Sequence, residues 1–403
     1  MRKIIVVISM LIVTTVYTQT LEDYIKIAKE NNSAIKIKNA EFNLIKERKN
    51  EVSSFQNTAI SLGIFALTPE TRVGSQLFKI GATQKLPWFG EFSAKKNLIE
   101  KLSEIKKNDI DLSDKEITFR VQEAYYRMYQ QQAMTVILKR NKQILKTYEN
   151  MALAALSNNK ATMSDVLRIR VQKNELHSRI FQNINTIETL YRNFNTLLQR
   201  AKNSPLFIAD SLQVLDILIQ KSSIKLHPSL MKFKNMEAVY DAQKELITID
   251  KKPKITIGVD YILVNNRTDI AVLQNGKDIL MPKISLSIPL FTKKHNSQYK
   301  QLNFQKEILK NEIIQQENTL EMAFETAILD LENAIISVVA AQKNKTEIQR
   351  AINVDLKAYE TGILNYDKIL KLQIQKIRFE LLEIEATKNA FIAKAKTIYL
   401  SKK

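Results

Sequence analysis

Leu86-Pro87-Trp88-Phe89 and Ile288-Pro289-Leu290-Phe291 lie 202 residues apart, and each ends an alternating apolar stretch just before a long run almost free of helix breakers. From Glu91 to Ser204 there is neither glycine nor proline, and from Leu290 to Lys403 only Gly362 interrupts. A second pair keeps nearly the same offset. Asn159-Lys160-Ala161-Thr162-Met163-Ser164-Asp165-Val166-Leu167 matches Gly362 to Leu370 at a separation of 203. The chain is therefore read as two copies of one plan, residues 19–210 and 211–403. Each copy runs helix, strand, strand, long helix, tight turn, return helix.

Upstream of each tetrapeptide the apolar residues alternate. Ile60, Leu62, Ile64 and Ala66 interleave with Ser61 and Gly63; Phe78, Ile80, Ala82 and Leu86 interleave with Lys79, Gly81, Thr83 and Lys85. In the second copy Ile255, Ile257, Val259, Tyr261 and Leu263 alternate with polar residues, and so do Ile284, Leu286, Ile288 and Leu290. Period two predicts strands at about 58–67, 76–87, 254–264 and 281–290. Ten residues is the length that a tilted strand needs to cross a bilayer; an ordinary half-buried hairpin fits each segment equally well.

Downstream the period changes to seven. Leu320, Ala327, Ala334, Ala341 and Ile348 form one strip. Phe324, Leu331, Val338, Ile352 and Tyr359 form another, broken at Lys345. Leu98, Ile105, Leu112, Phe119 and Tyr126 repeat the pattern in the first copy, with Ile110, Ile117 and Ala124 on a nearly opposite face. A helix with two apolar seams has neighbours on two sides, as in a wall of helices; a coiled-coil rod is the simpler alternative. The predicted long helices, 91–157 and 293–361, would each be about 100 Å. An opening helix, about 21–56, and return helices at 163–200 and 366–400 are each roughly half that, so two short helices match one long one. Thr162 with Asp165 is a capping-box pair, Asn365 can cap the second return helix, and Asn159 and Gly362 suit the left-handed position after a helix.

Composition excludes several function classes. The chain has no cysteine, which removes disulfides, thiolate metal sites, cysteine nucleophiles and a lipidated N-terminal cysteine. Arg2 and Lys3 precede an apolar run from Ile4 to Val16, which reads as a signal peptide over 1–18, being short for a membrane anchor. The net charge of +19 is dispersed among acidic residues without a basic aromatic block, so nucleic acid is not an expected partner. His177, His227 and His295 are scattered, so no metal or other cofactor is expected. Nothing assembles a nucleophile, base and orienting group, so no enzyme is predicted.

The strands carry an oligomerisation argument. Two strands cannot cross lipid alone, because their edges leave backbone groups unpaired there. Four strands close no barrel. If they are membrane-embedded, several subunits must pool them in a ring.

The exported opening Leu21-Glu22-Asp23-Tyr24-Ile25-Lys26-Ile27-Ala28-Lys29-Glu30-Asn31-Asn32, the strand ends Leu86-Pro87-Trp88-Phe89-Gly90 and Pro282-Lys283-Ile284-Ser285-Leu286-Ser287-Ile288-Pro289-Leu290-Phe291, and the two turn segments resemble the TolC-like outer-membrane efflux family. His227-Pro228-Ser229-Leu230, at the start of the second copy, resembles it too. The resemblance implies a mainly α fold with a small β part: a duplicated long-helix coiled-coil α-barrel, plus four transmembrane strands per subunit in a barrel closed by a homotrimer. It implies a Gram-negative outer-membrane location extending into the periplasm. The partners it implies are outer-membrane lipid, a periplasmic adaptor and an inner-membrane pump. The function would be a passive exit duct for heavy-metal cations or drugs. A type I secretion duct would share this architecture, and a soluble periplasmic coiled-coil adaptor or scaffold is the alternative of another class.

The family's acidic constriction falls on Asp165 in the first turn. In the second turn Lys368 stands at the usual aspartate position, with Asp367 one residue early. Both aspartates also suit plain helix starts. The turns Asn158-Asn159-Lys160 and Gly362-Ile363-Leu364-Asn365 are the adaptor-contacting candidates. Trp88, Phe89 and Phe291 are membrane-interface candidates, or corner packing in the case of Trp88.

Overall fold

A computed structural model describes residues 19–67, 69–209, 211, 212, 214, 224–360 and 366–401. The predicted signal peptide, residues 1–18, and Gly362, Ile363, Leu364 and Asn365 lie outside the described residues. The described elements are α1 (Leu21–Asn31), α2 (Ser33–Glu51), β1 (Ala59–Ile64), β2 (Glu70–Thr71), β3 (Gly74–Leu86), α3 (Glu91–Ser157), α4 (Met163–Leu197), α5 (Pro228–Asp250), β4 (Lys254–Val264), β5 (Ile279–Ser287), α6 (Lys293–Glu360) and α7 (Tyr366–Leu400), with a short 3-10 turn at Ile224–Leu226. The fold is mainly α with one small open sheet.

Packing divides the chain into two compact units, and each draws on both repeats. One takes the described residues of Met1–Ser33, Asp114–Ile224 and Glu321–Lys403; the other takes Ala34–Ser113 and Lys225–Leu320. The second unit holds the strands with α2, α5 and the first stretches of α3 and α6. Its helices are joined by ion pairs, Lys106 to Glu41 at 2.8 Å and Lys232 to Asp109 at 2.8 Å.

The helical unit buries the predicted seams. Leu331, Ala334 and Val338 on α6 pack with Ala386, Ala390 and Ala393 on α7. Small residues there let two helices approach closely. Lys345, the break in the seam, is satisfied by Glu383 at 2.5 Å. Near the first turn, Leu138, Leu145 and Ala152 of α3 pack against Val166, Ile169 and Leu176 of α4 and Tyr366, Ile369 and Ile377 of α7. Polar groups are buried among them. Asn141 Nδ2 donates to Glu380 Oε2 (2.8 Å), and Gln373 Nε2 donates to Asn141 Oδ1 (2.7 Å).

Several boundaries differ from the sequence reading. The opening helix is not continuous: Asn32 leaves helical geometry at ψ 120°. Asn31, Asn32 and Ser33 have side chains that compete for the backbone, which favours such a break. The helix then ends at Glu51 rather than Gln56, where Ser53 and Ser54 bond back to Lys49 and Asn50 carbonyls. The first return helix stops at Leu197 instead of 200. Gln199 takes φ +52°, while Arg200 N–H donates to Asn195 O and Gln199 N–H to Thr196 O. Those two bonds form a Schellman motif. Strand β1 ends at Ile64, short of 67, and β2 is an additional two-residue strand paired with β3. Strand β5 stops at Ser287, short of Pro289, which has no N–H to give a ladder.

Candidate membrane sheet and helix turns

The long strands pair antiparallel in the order β1-β3-β4-β5, so the middle pairing joins the two repeats and β1 and β5 are the edges. Registers such as Leu62↔Ile80, Ile80↔Tyr261 and Tyr261↔Leu280 set alternate residues on a common face. One face is therefore apolar: Ile60, Leu62 and Ile64, then Phe78, Ile80 and Ala82, then Ile257 to Leu263 at every second position, then Leu280, Ile284 and Leu286. Most of these large side chains are exposed. A contiguous apolar face of this kind marks a surface made for lipid or for another chain.

The opposite face is polar along most of its length and becomes apolar at Ile262, Val264, Ile279 and Met281. Its centre is an ion triad that spans three strands. Asp260 on β4, 1% exposed, meets Lys79 of β3 at 2.7 Å and Lys283 of β5 at 2.5 Å. Glycines make the room. A Cβ on Gly81 would lie 2.4 Å from Asp260 Oδ1 and 2.6 Å from Ser61 Oγ, and one on Gly258 would lie 2.9 Å from Lys283 Cε.

Where each copy passes from strand to long helix, an aromatic residue projects outward. Phe89 is 87% exposed and Phe291 is 88% exposed. Trp88 is half-buried, with its ring edge-on to Phe89 at 6.1 Å. Its N–H donates to Glu91 Oε2 at 3.2 Å, so the corner is closed by the first residue of α3. Trp88 therefore packs at the strand–helix corner beside an exposed aromatic ring.

In the helical unit, α3 ends in a Schellman turn. Asn159 takes φ +53°, Lys160 N–H donates to Ala155 O at 2.8 Å, and Asn159 N–H donates to Leu156 O at 3.1 Å. Asn158 Nδ2 donates to Ala154 O, and Asn158, Asn159 and Lys160 are all exposed. The next helix opens with the predicted capping box: Thr162 N–H and Oγ1–H donate to Asp165 Oδ2 at 2.9 and 2.7 Å, and Asp165 N–H donates to Thr162 Oγ1. Asp165 is only 9% exposed. On α7, Asp367 binds Arg168 (2.9 Å) and Lys371 (2.7 Å), while Lys368 is exposed. Lys371 first, and Arg168 with it, hold the Asp367 carboxyl below the ordinary carboxylate value. The structure thus brings Asp367 to the first return helix through Arg168.

The sequence reading missed the Lys79–Asp260–Lys283 triad. Its signal was present, since all three sit at the polar positions of alternating strands. Finding it required knowing that β3 and β4, from different repeats, are neighbours.

Long two-seamed helices joined to an open amphipathic sheet are an arrangement that known structures share. CusC, solved in forms that accompany transmembrane channel formation, superposes with TM-score 0.77 at 13% identity, covering 96% of this chain and 92% of its own. The open-state outer-membrane channel MtrE of Neisseria gonorrhoeae gives 0.74 at 12% identity, with 94% and 88% covered. VceC, an outer-membrane protein of Vibrio cholerae, gives 0.73 at 10%, with 94% and 95% covered. The chain has the fold of the TolC-like outer-membrane efflux channels. No family model matches the sequence. No curated protein sequence matches it either.

Proposed function

We propose that this chain is one subunit of a trimeric outer-membrane exit duct, which carries out no chemistry and is driven by an inner-membrane pump through a periplasmic adaptor. The open sheet carries the reading. One face is apolar, the other is polar along most of its length, and the edges β1 and β5 have no partner strand among the described residues. In lipid such edges must be paired. Three copies would bring twelve strands, with β5 of each meeting β1 of the next. The helices favour the same occupant for their free faces, because Met322, Leu329 and Ile336 keep seven-residue spacing along α6 and are exposed. A second copy of this chain would cover them.

Within this reading, Phe89 and Phe291, with Trp88 behind, sit at the membrane interface. The turn Asn158–Lys160 meets the adaptor, as does its counterpart Gly362–Asn365. Asp165 caps the start of α4, Asp367 pairs with Arg168 and Lys371, and Lys368 is the exposed cation at the start of α7. The signal peptide 1–18 directs export. The architecture serves efflux of drugs or metal cations and protein secretion alike.

The test is fractionation followed by reconstitution. Recovery in the outer membrane, cross-linking to a trimer in detergent and stepwise conductance in planar bilayers are expected. Recovery with soluble periplasm, or monomers in detergent, would remove the duct in favour of a soluble scaffold.

A further inference from the structure

The polar face of the sheet has a strong charge bias. Over the four long strands the charged residues are Lys79, Lys85, Lys254, Lys283 and Asp260. The registers put all five on that one face, since Lys85 pairs with Thr256, Gly81 with Asp260, Gly258 with Lys283 and Lys254 with Ser287. Four lysines against one aspartate leave three positive charges per chain, or two if Lys254 is assigned to Asp250, its partner at 2.8 Å. Asp260 is enclosed by two of the lysines, so it offers little negative field of its own. Lys85 is exposed and has no acidic partner among the described residues.

The first turn points the same way by a separate observation. Asp165 is folded into its capping box and Asp367 is held by two cations, while Lys160 and Lys368 beside them are exposed. Neither aspartate is left as an open acidic site for a cation.

We propose that the duct is selective for anions, and that its cargo is a small molecule of net negative charge rather than a bare metal cation. The inference rests on the duct reading, in which the polar face lines the lumen. Low-dielectric walls of one charge sign concentrate counter-ions. Three subunits would place six to nine net positive charges around one pore, arranged in rings by the strand register. Lys79 and Lys283 are positioned by Asp260, and Lys85 is the unpaired member that acts on passing ions directly.

The experiment is the reversal potential of the reconstituted wild-type channel across a KCl gradient. A chloride-to-potassium permeability ratio of about 7 is expected at 0.1 M salt, because a lumen potential of about one kT enriches chloride and depletes potassium by a factor of about e each. It should fall towards 1 at 1 M salt, where screening shortens from about 10 Å to about 3 Å. Lys85→Gln should lower the ratio without disturbing the triad, and Asp260→Asn should raise it. Conducting channels with a ratio at or below 1, or a ratio unmoved by both substitutions, overturn the charge proposal while leaving the duct intact. Absence of conductance overturns both, at the level of the duct itself.

Discussion

Replacing Asn141 by leucine tests the buried polar cluster between α3 and α7. Asn141 is fully buried, Gln373 is 1% exposed and Glu380 is 4% exposed. Leucine cannot accept from Gln373 Nε2 or donate to Glu380 Oε2, so two buried polar atoms lose partners that now stand at 2.7 and 2.8 Å. Glu380 keeps Arg140 at 2.8 Å on its other oxygen. Each of the two orphaned groups costs about 1–3 kcal/mol, and the added apolar burial returns roughly 1, for a net loss of about 1–5 kcal/mol. At 1.4 kcal/mol per decade this is a fall of roughly 5-fold to 4,000-fold in hydrogen-exchange protection for amides around Ile137–Asn141 and Gln373–Glu380. Adding Gln373→Leu removes one orphan and should restore about 1–3 kcal/mol. A single variant with less than a threefold loss, or a double variant as weak as the sum of the singles, would refute the view that these groups depend on one another.

Thr162→Ala removes the side-chain cap of α4, and should cost about 1 kcal/mol of local stability and speed proteolytic nicking at Asn158–Thr162. Gly81→Val drives a side chain into Asp260 and Ser61, so the yield of assembled outer-membrane protein should fall several-fold, whereas Gly63→Val, where a Cβ meets nothing within 4 Å, should retain it. Because the folded Asp367 carboxyl lies below its ordinary 3.8, the stabilisation from its pairs is full above that value and disappears as pH falls through the lower folded one. Amide exchange at the start of α7, corrected for intrinsic rates, should therefore be flat from pH 7 to pH 5, and Arg168→Ala should bring the loss to higher pH.

The two long helices, the four strands and the capping box were legible because each is written locally. Breaker-free runs fix α3 and α6, period two fixes the strands, and Thr162 with Asp165 fixes a helix start. What escaped depends on partners far along the chain. The break at Asn32 was hidden inside an apolar pattern that continues past it. The Asn141–Gln373–Glu380 cluster joins helices more than 200 residues apart, and a lone asparagine in a seam does not announce its acceptor. Asp165 was legible as a capping-box residue, but its burial to 9% exposure was not.

The central pairing of the sheet has a consequence for how the chain is made. Phe78 pairs with Leu263 and Leu86 with Ile255, so the middle seam joins segments that leave the ribosome far apart in time. The first hairpin, β1 with β3, is complete long before β4 exists, and meanwhile it carries a bare edge and the exposed side chains of Ile60, Leu62 and Ile64. Closing so long a loop is slow, and waiting edges recruit wrong partners. A nascent first half should therefore be the form of this protein most in need of a holding chaperone, and one released without its second half should aggregate through β3.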